Sequence, residues 1–389
     1  MCSRHFGTVL GREKHEIQEH HFTASKRAQM STGFSPYNML ECKSSQELQR
    51  FADEKIRPSS GPLSAACAAE VIALLELIQA CFPLPTSRVI QGGSFIKGTD
   101  TQECSEIDVV LFSDVFANVK LCKKQLKESL DALRKNLKQT SHGNSGNLHS
   151  HSFEVMTYYD ILGPTPSTEV PAFILYDKLK GRYYLWVEVL NIRKENLRKF
   201  KPTDLKLHLY RKLYLCDDSD EAQLCALALL PYQVDFVKAS VMRVKELIRL
   251  MIHWFRTSFA KTTEENKYVP ETSPTYTVEL LSIHVWELAG KPLFFSLVQG
   301  MRAILKLLVQ YAEIDVVWHR HYHPKFPIFV KVNRKHTRPF ILDPVNPTAN
   351  MCDSCNAWDE VAHVARCSLE KPLFSRVRVM APWLFTDNW

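Results

Sequence analysis

Between Gln91 and Phe112 the chain reads QGGSFIKGTDTQECSEIDVVLF: a glycine pair, a polar stretch with one lysine, then two carboxylates that lead into an apolar run. A GGS turn lets backbone N–H groups approach an anion closely, because glycine has no Cβ, and Ser94 adds a hydroxyl donor. Lys97 stands where it would neutralise a terminal phosphate. This is not a Walker A loop, which needs Gly-x-x-x-x-Gly-Lys-Ser/Thr, so its meaning depends on the residues downstream of it. Asp108 to Phe112 is compact, carries two valines and reads as a buried strand. Glu106 and Asp108, at i and i+2 at its mouth, leave the same face.

Two carboxylates on one strand suit Mg²⁺, a hard cation held by oxygen, and a two-metal phosphoryl-transfer site needs a third acid from a neighbouring strand. In RYYLWVEVL (182–190), Tyr184, Trp186, Glu188 and Leu190 share one face, which sets Glu188 in an apolar strand as the candidate. An isolated Glu-x-Asp would read as a solvated turn residue and a strand cap. The glycines upstream and the acid downstream favour the metal reading instead.

Composition sets wide bounds. The 389 residues, 45% hydrophobic and 23% charged, suit a soluble chain of two lobes. The net charge of +7 permits a polyanionic partner without requiring one. The first residues lack the apolar core of a signal peptide and no apolar run reaches the ~20 residues that span a bilayer, so a cytoplasmic protein with no membrane partner is expected. Eleven cysteines, scattered and often within apolar runs, suit reduced thiols. Cys352-x-x-Cys355, downstream of His319, His321 and His323, roughly matches a zinc inventory. A single CxxC in a loop entering a helix is nevertheless a weak signal, and unpaired residues are expected.

Residues 1–45 are polar and aperiodic and read as a poorly ordered leader. Helical spacing covers 45–56 and 63–82, and again the lysine-rich 116–137. SHGNSGNLHSHS reads as a loop, 152–158, 172–177 and 182–190 as strands, and the last two of these as a hairpin. Helices succeed them at 241–259, 276–288, 301–314 and 357–367, with a short strand IFVKV before RPFILDPVNPTAN. The expectation is α+β: a mixed-sheet lobe at 46–208 and a mainly helical lobe at 209–389.

GGSFIKGT followed by SEIDVVLF resembles the nucleotide- and metal-binding segment of the 2′-5′-oligoadenylate synthetases, members of the polymerase-β-like nucleotidyltransferase superfamily. ELIRLMIHWF (246–255), Tyr-x-x-Glu-Leu-Leu in TYTVELL (275–281), the Trp of HVWEL and RPFILDPVNPT (338–348) match in order and spacing from about Phe51 onward. The resemblance implies an enzyme of antiviral innate immunity, activated by double-stranded RNA, that polymerises ATP into 2′-5′-linked oligoadenylates. It also implies that Ser94, Lys97 and Arg249 touch phosphates of ATP, that Glu106 and Asp108 hold Mg²⁺, and that Tyr276 stacks on adenine. Lys238 and Arg243 match positions that contact RNA. For the third acid, YYDILG superficially resembles the family's Phe-Asp-Ala-Leu-Gly and nominates Glu154, whereas the spacing of the strands favours Glu188.

The chain also departs from the family. The usual triad is three aspartates, whereas Glu106 and Glu188 each add a methylene that moves an oxygen by about 1 Å against the strict geometry of Mg²⁺. Glu-x-Asp does occur at the first two positions in the related cyclic GMP-AMP synthases. Ile96 stands for a glycine, Ile252 for a lysine that meets the donor triphosphate, and Gln91 for a lysine on the RNA side. A second reading therefore stands beside the enzyme: a catalytically impaired member that acts as a double-stranded-RNA-binding or signalling module.

Overall fold

The computed structural model describes residues 38–58, 72–113, 228–259, 275–322 and 338–383 apart from 74, 87, 103, 104, 354, 356 and 376, with strands at 153–157, 173–177 and 183–191 and helical residues within 128–139 and 206–226. Residues 1–37 of the expected leader, the loop at 141–152, YYDILG, the basic run at 193–205, His323 and IFVKV lie outside the described residues. The chain divides into two compact units, Pro58–Asp235 and a discontinuous one that joins the described part of Met1–Arg57 to Phe236–Trp389. In that division residues 46–57 belong with the helical unit.

In Pro58–Asp235 the strands are β1 (Arg88–Gly92), β2 (Ser105–Ser113), β3 (Phe153–Thr157), β4 (Phe173–Asp177) and β5 (Tyr183–Asn191), with a one-turn helix α2 (Gly93–Lys97) after β1. β2 is the middle of a three-stranded sheet, antiparallel to β1 and parallel to β5. Val109, Val110 and Leu111 are fully buried, as the apolar run after Asp108 requires. β4 runs antiparallel to β3, β5 pairs with β2, and β4 and β5, expected as a hairpin, lie side by side. β5 has in β2 a parallel neighbour whose apolar run matches its own.

The helical unit begins with α1 (Ser45–Phe51). Ser44 caps it by accepting from the N–H of Glu47 at 3.1 Å, while the Glu47 carboxylate accepts from the N–H of Lys43 at 2.8 Å. A π-helical turn over Ala52–Ile56 extends it. Met39, Leu40, Cys42, Leu48, Phe51 and Ile56 join one core with α4 (Met242–Phe259), α5 (Thr275–Leu288), α6 (Leu297–Val309) and α7 (Trp358–Leu369), and burial of those side chains explains why this segment leaves the sheet-bearing unit. α3 (Leu230–Lys238) carries the border between the units.

α4 keeps its heptad-like spacing: Val244, Leu247, Ile248, Met251 and Phe255 are all buried. Gly300 of α6 lies against it so closely that a Cβ there would fall 2.8 Å from a Leu247 methyl carbon. α5 is buried nearly all round and ends at Gly290, whose φ of 80° is the left-handed conformation that lets Lys291 N–H donate back to Trp286 at 3.0 Å. A two-residue parallel pair, β6 (Asp315–Val316) and β7 (Phe340–Ile341), and the short α8 (Pro372–Ser375) complete the unit. No helix among the described residues is long and apolar enough to cross a membrane.

Six of the seven tryptophans fall outside Pro58–Asp235, so intrinsic fluorescence chiefly reports the discontinuous unit. Leu48→Ala, at a site with no exposure, should lower the stability of the transition read by fluorescence in urea by about 2–5 kcal/mol. An unchanged midpoint would mean that α1 does not belong to this core. His284, covered by burial and only partly offset by Glu287, has its pKa lowered from 6.5 to about 4. Between those values the unfolded chain binds the extra proton, so stability should rise with pH there, by at most about 1.4 kcal/mol per unit, and flatten above 6.5. His284→Gln should remove that slope from urea midpoints measured between pH 4.5 and 7.5.

Candidate nucleotide and phosphate site

β1 delivers the glycine pair to the edge of the acidic strand. Gly92 is extended and lies level with Asp108 of β2, and Gly93 takes a φ of 86° at the start of α2. The turn closes at Gly98, φ 74°, with Thr99 N–H donating to the Ser94 carbonyl at 2.9 Å. The segment is thus a strand passing into one helical turn. Ser94 is 7% exposed, whereas Lys97 and Ile96 are half-buried. Ile96 sits at a helical position, where a β-branched side chain costs little.

The β2–β5 register aligns Glu106 with Tyr184, Asp108 with Trp186 and Val110 with Glu188. Residues level across a ladder share a face, as do alternate residues along a strand, so Glu106, Asp108 and Glu188 occupy one face of adjacent strands. Glu188 lies two residues past the level of Asp108, about 7 Å along the strand direction. Glu154 lies level with Tyr176 of β4, in a ladder that does not include β2.

In the discontinuous unit, Arg249 is 6% exposed on α4 and Lys245, one turn earlier, is 9% exposed. Burial, then the charges of Arg249 and Lys238, pulls the Lys245 pKa down. Lys245 is not recognised from sequence, although its spacing of four from Arg249 in VKELIR is visible. Ile252 is 3% exposed and part of the core. The Tyr276 hydroxyl donates to Asp343 Oδ1 at 3.3 Å, and burial followed by the Asp343 charge holds its pKa well up. Asp343 Oδ1 also accepts from Val345 N–H at 2.7 Å, so the RPFILDPVNPT motif anchors the tyrosine ring.

The two residues matched to RNA contacts differ. Lys238 is exposed at the last turn of α3. Arg243 is engaged with the protein: Nε donates to the Phe295 carbonyl at 2.9 Å, and Nη1 to Gln49 at 2.6 Å and Glu246 at 2.8 Å. Glu246 also pairs with Arg57. Arg243 thereby ties α1, α4 and the α5–α6 connection. Cys352 and Cys355 are buried thiols, with the Cys352 pKa raised first by burial, and no group of three His, Cys, Asp or Glu among the described residues is arranged for a metal.

Residues 204–387 match the family model described as 2′-5′-oligoadenylate synthetase 1, domain 2, C-terminus. The chain is 30% identical over 308 residues to the inactive 2′-5′-oligoadenylate synthase 1B of Rattus norvegicus, a match that covers 75% of this chain and 74% of that protein. It is 26% identical over 349 residues to the rat 2′-5′-oligoadenylate synthase 1A, over 86% of this chain and 92% of that one. Against the 2′-5′-oligoadenylate synthase 3 of Mus musculus, 26% identity extends over 82% of this chain and 27% of that protein. Superposition on a chain of the E. coli MS115-1 CdnC:HORMA-deltaN complex gives a TM-score of 0.48 at 16% identity, over 83% of this chain and 87% of that one.

Arg243→Ala should destabilise the protein by about 1–3 kcal/mol in urea titrations, because Glu246 and the Phe295 carbonyl lose a charged donor. Arg243→Lys should restore only part of this, since one ammonium cannot reproduce the fork. Unchanged stability together with a weaker salt dependence of RNA binding would instead assign the side chain to RNA.

Proposed function

Because the chain belongs to the 2′-5′-oligoadenylate synthetase family, we propose that it is a nucleotidyltransferase that joins ATP into 2′-5′-linked oligoadenylates under the control of double-stranded RNA. The observation that carries this reading is the register that sets Glu106, Asp108 and Glu188 on one face, with the Gly92–Gly93 turn level with Asp108. In the reaction, a 2′-hydroxyl oxygen bonds to the α-phosphorus of ATP, the bond to the β-phosphate bridging oxygen breaks, and pyrophosphate leaves. The hydroxyl proton passes to a carboxylate of the site or to water. Mg²⁺ held by the three carboxylates would supply positive charge to the phosphoryl oxygens.

Ser94 and Lys97 would hold phosphate from the glycine-turn side, Arg249 would meet phosphate from α4, and Tyr276, its ring fixed through Asp343, would offer a face to adenine. Lys238, exposed on α3, would contact the RNA backbone, which is read through phosphates and 2′-hydroxyls rather than bases. Arg243 contributes through the framework. A cytoplasmic location and a role in antiviral innate immunity go with this reading. The 30% identity to a relative named inactive, together with the apolar Ile252 and the longer acids, favours a second reading: an RNA-binding module without turnover.

Full-length protein incubated with ATP, Mg²⁺ and long double-stranded RNA should release pyrophosphate and form 2′-5′ products. Asp108→Ala and Glu188→Ala should each cut the rate by roughly a hundredfold or more, and Glu154→Ala should leave it within a few-fold. Intact RNA binding with no product at high enzyme would establish the second reading. Loss of product on Glu154→Ala with Glu188→Ala unaffected would move the third acid to β3.

A further inference from the structure

After α8 the discontinuous unit runs through a strap, Val377–Ala381, that faces the starts of α1 and α6 across a cleft of about 590 Å³. Exposure alternates along the strap, with Val377 and Val379 half-buried and Arg378 and Met380 exposed, the period of two that marks an extended chain. One edge of it is satisfied by a side chain. The buried Gln299 donates through Nε2 to the Arg378 carbonyl at 3.0 Å and accepts through Oε1 from Met380 N–H at 3.1 Å. A neighbouring parallel strand makes the same two bonds on either side of a residue, so Gln299 stands in for that neighbour at Val379. The N–H and C=O of Val379 itself belong to the opposite edge, and among the described residues they make no hydrogen bond.

The cleft is positive and partly apolar. Lys43 and Arg378 line it, no Asp or Glu does, and neither cationic head makes an ion pair or hydrogen bond among the described residues. Ser45 and Ser296, whose hydroxyls lie 3.3 Å apart, add donors, and Leu373, Val377 and Val379 add apolar lining. We propose that the cleft docks an extended acidic peptide segment of another protein, which adds as a strand beside Val379 and sets carboxylates against Lys43 and Arg378. In this mode main-chain bonds to an unpaired edge give affinity, and alternate side chains give specificity. Charge decides against a second copy of this chain, because two straps paired antiparallel about Val379 would set Arg378 of each copy diagonally across from the other, with no acid among the lining residues to separate them. The apolar lining decides against a free inorganic anion, which would leave Leu373 and the two valines without a partner. None of Glu106, Asp108, Glu188 and Lys238 lines the cleft, so the docking site does not depend on the enzymatic reading.

The test uses full-length protein and fluorescence polarisation with labelled hexapeptides: alternating Glu-Val, alternating Lys-Val, and the Glu-Val peptide N-methylated at alternate amides. The Glu-Val peptide should bind with a Kd on the order of 0.1 mM at low salt, roughly tenfold or more tighter than either of the others. Lys43→Glu combined with Arg378→Glu should reverse the preference in favour of the Lys-Val peptide. Val379→Pro removes an N–H that the fold does not use, so it should weaken the Glu-Val peptide by roughly tenfold and keep the melting temperature. Should that variant unfold, the N-methylated peptide asks the same question of the unaltered protein. Equal binding of the peptides overturns the proposal, as does unchanged Glu-Val binding in the doubly reversed variant. Inorganic phosphate that binds as tightly as the Glu-Val peptide would give the cleft to a free anion, and a dimer in light scattering that Val379→Pro dissociates would give it to a second copy. Loss of affinity for an RNA duplex in the doubly reversed variant, with peptide binding intact, would make the cations a nucleic-acid contact. Each of these three also overturns it.

Discussion

Helix α4 has to bury ten of its eighteen residues, and the helical unit is arranged around that requirement. α5 and α6 cover two sides, α6 closely enough to need Gly300 against Leu247, and the segment from Asn38 to Arg57 supplies the rest. Apolar burial of this extent contributes tens of kcal/mol before conformational entropy is subtracted, so small errors in how those elements meet are expensive. Arg243 fixes the meeting with directional bonds to Gln49, Glu246 and the Phe295 carbonyl, groups from three stretches of chain. The same helix presents Lys245 and Arg249, so the element that organises the core also sets the position of the cations.

Much of this is legible in the residues alone. The strand after the glycine turn, the helical runs and the shared face of Glu106 and Asp108 come from periods of two and 3.6 and from the DVVLF run, whereas β1 is too short to classify from its own residues. Glu188 is legible as an acid within an apolar strand, but its level relative to Asp108 is not, because register depends on which strand becomes the neighbour. The β2–β5 pairing joins strands far apart in sequence, which no local pattern specifies. Arg243 has the look of one of several surface cations, since Gln49 and Phe295 lie far from it in sequence.

Two departures from the family pattern acquire a local cause. Ile96 lies within a helical turn bounded by Gly93 and Gly98, so the conformational freedom the segment needs is supplied at its ends. Ile252 faces the core, where its side chain packs among α4 neighbours. Neither change disturbs the framework. The longer carboxylates of Glu106 and Glu188 are of another kind, because an added methylene acts on donor geometry and leaves the strand that bears it unaltered.

The discontinuity of the helical unit bears on how the chain is made. Met39, Leu40, Leu48 and Phe51 leave the ribosome early, yet the helices that cover them are encoded after Asp235, roughly 180 residues later. At ribosomal speeds that is a wait of roughly 10–40 s, during which those apolar side chains have no native partner. Pro58–Asp235, complete by then, can fold first, while the early segment stays a target for chaperones until α4 emerges. The segment made just before Pro58–Asp235 is thus covered only by elements made after it.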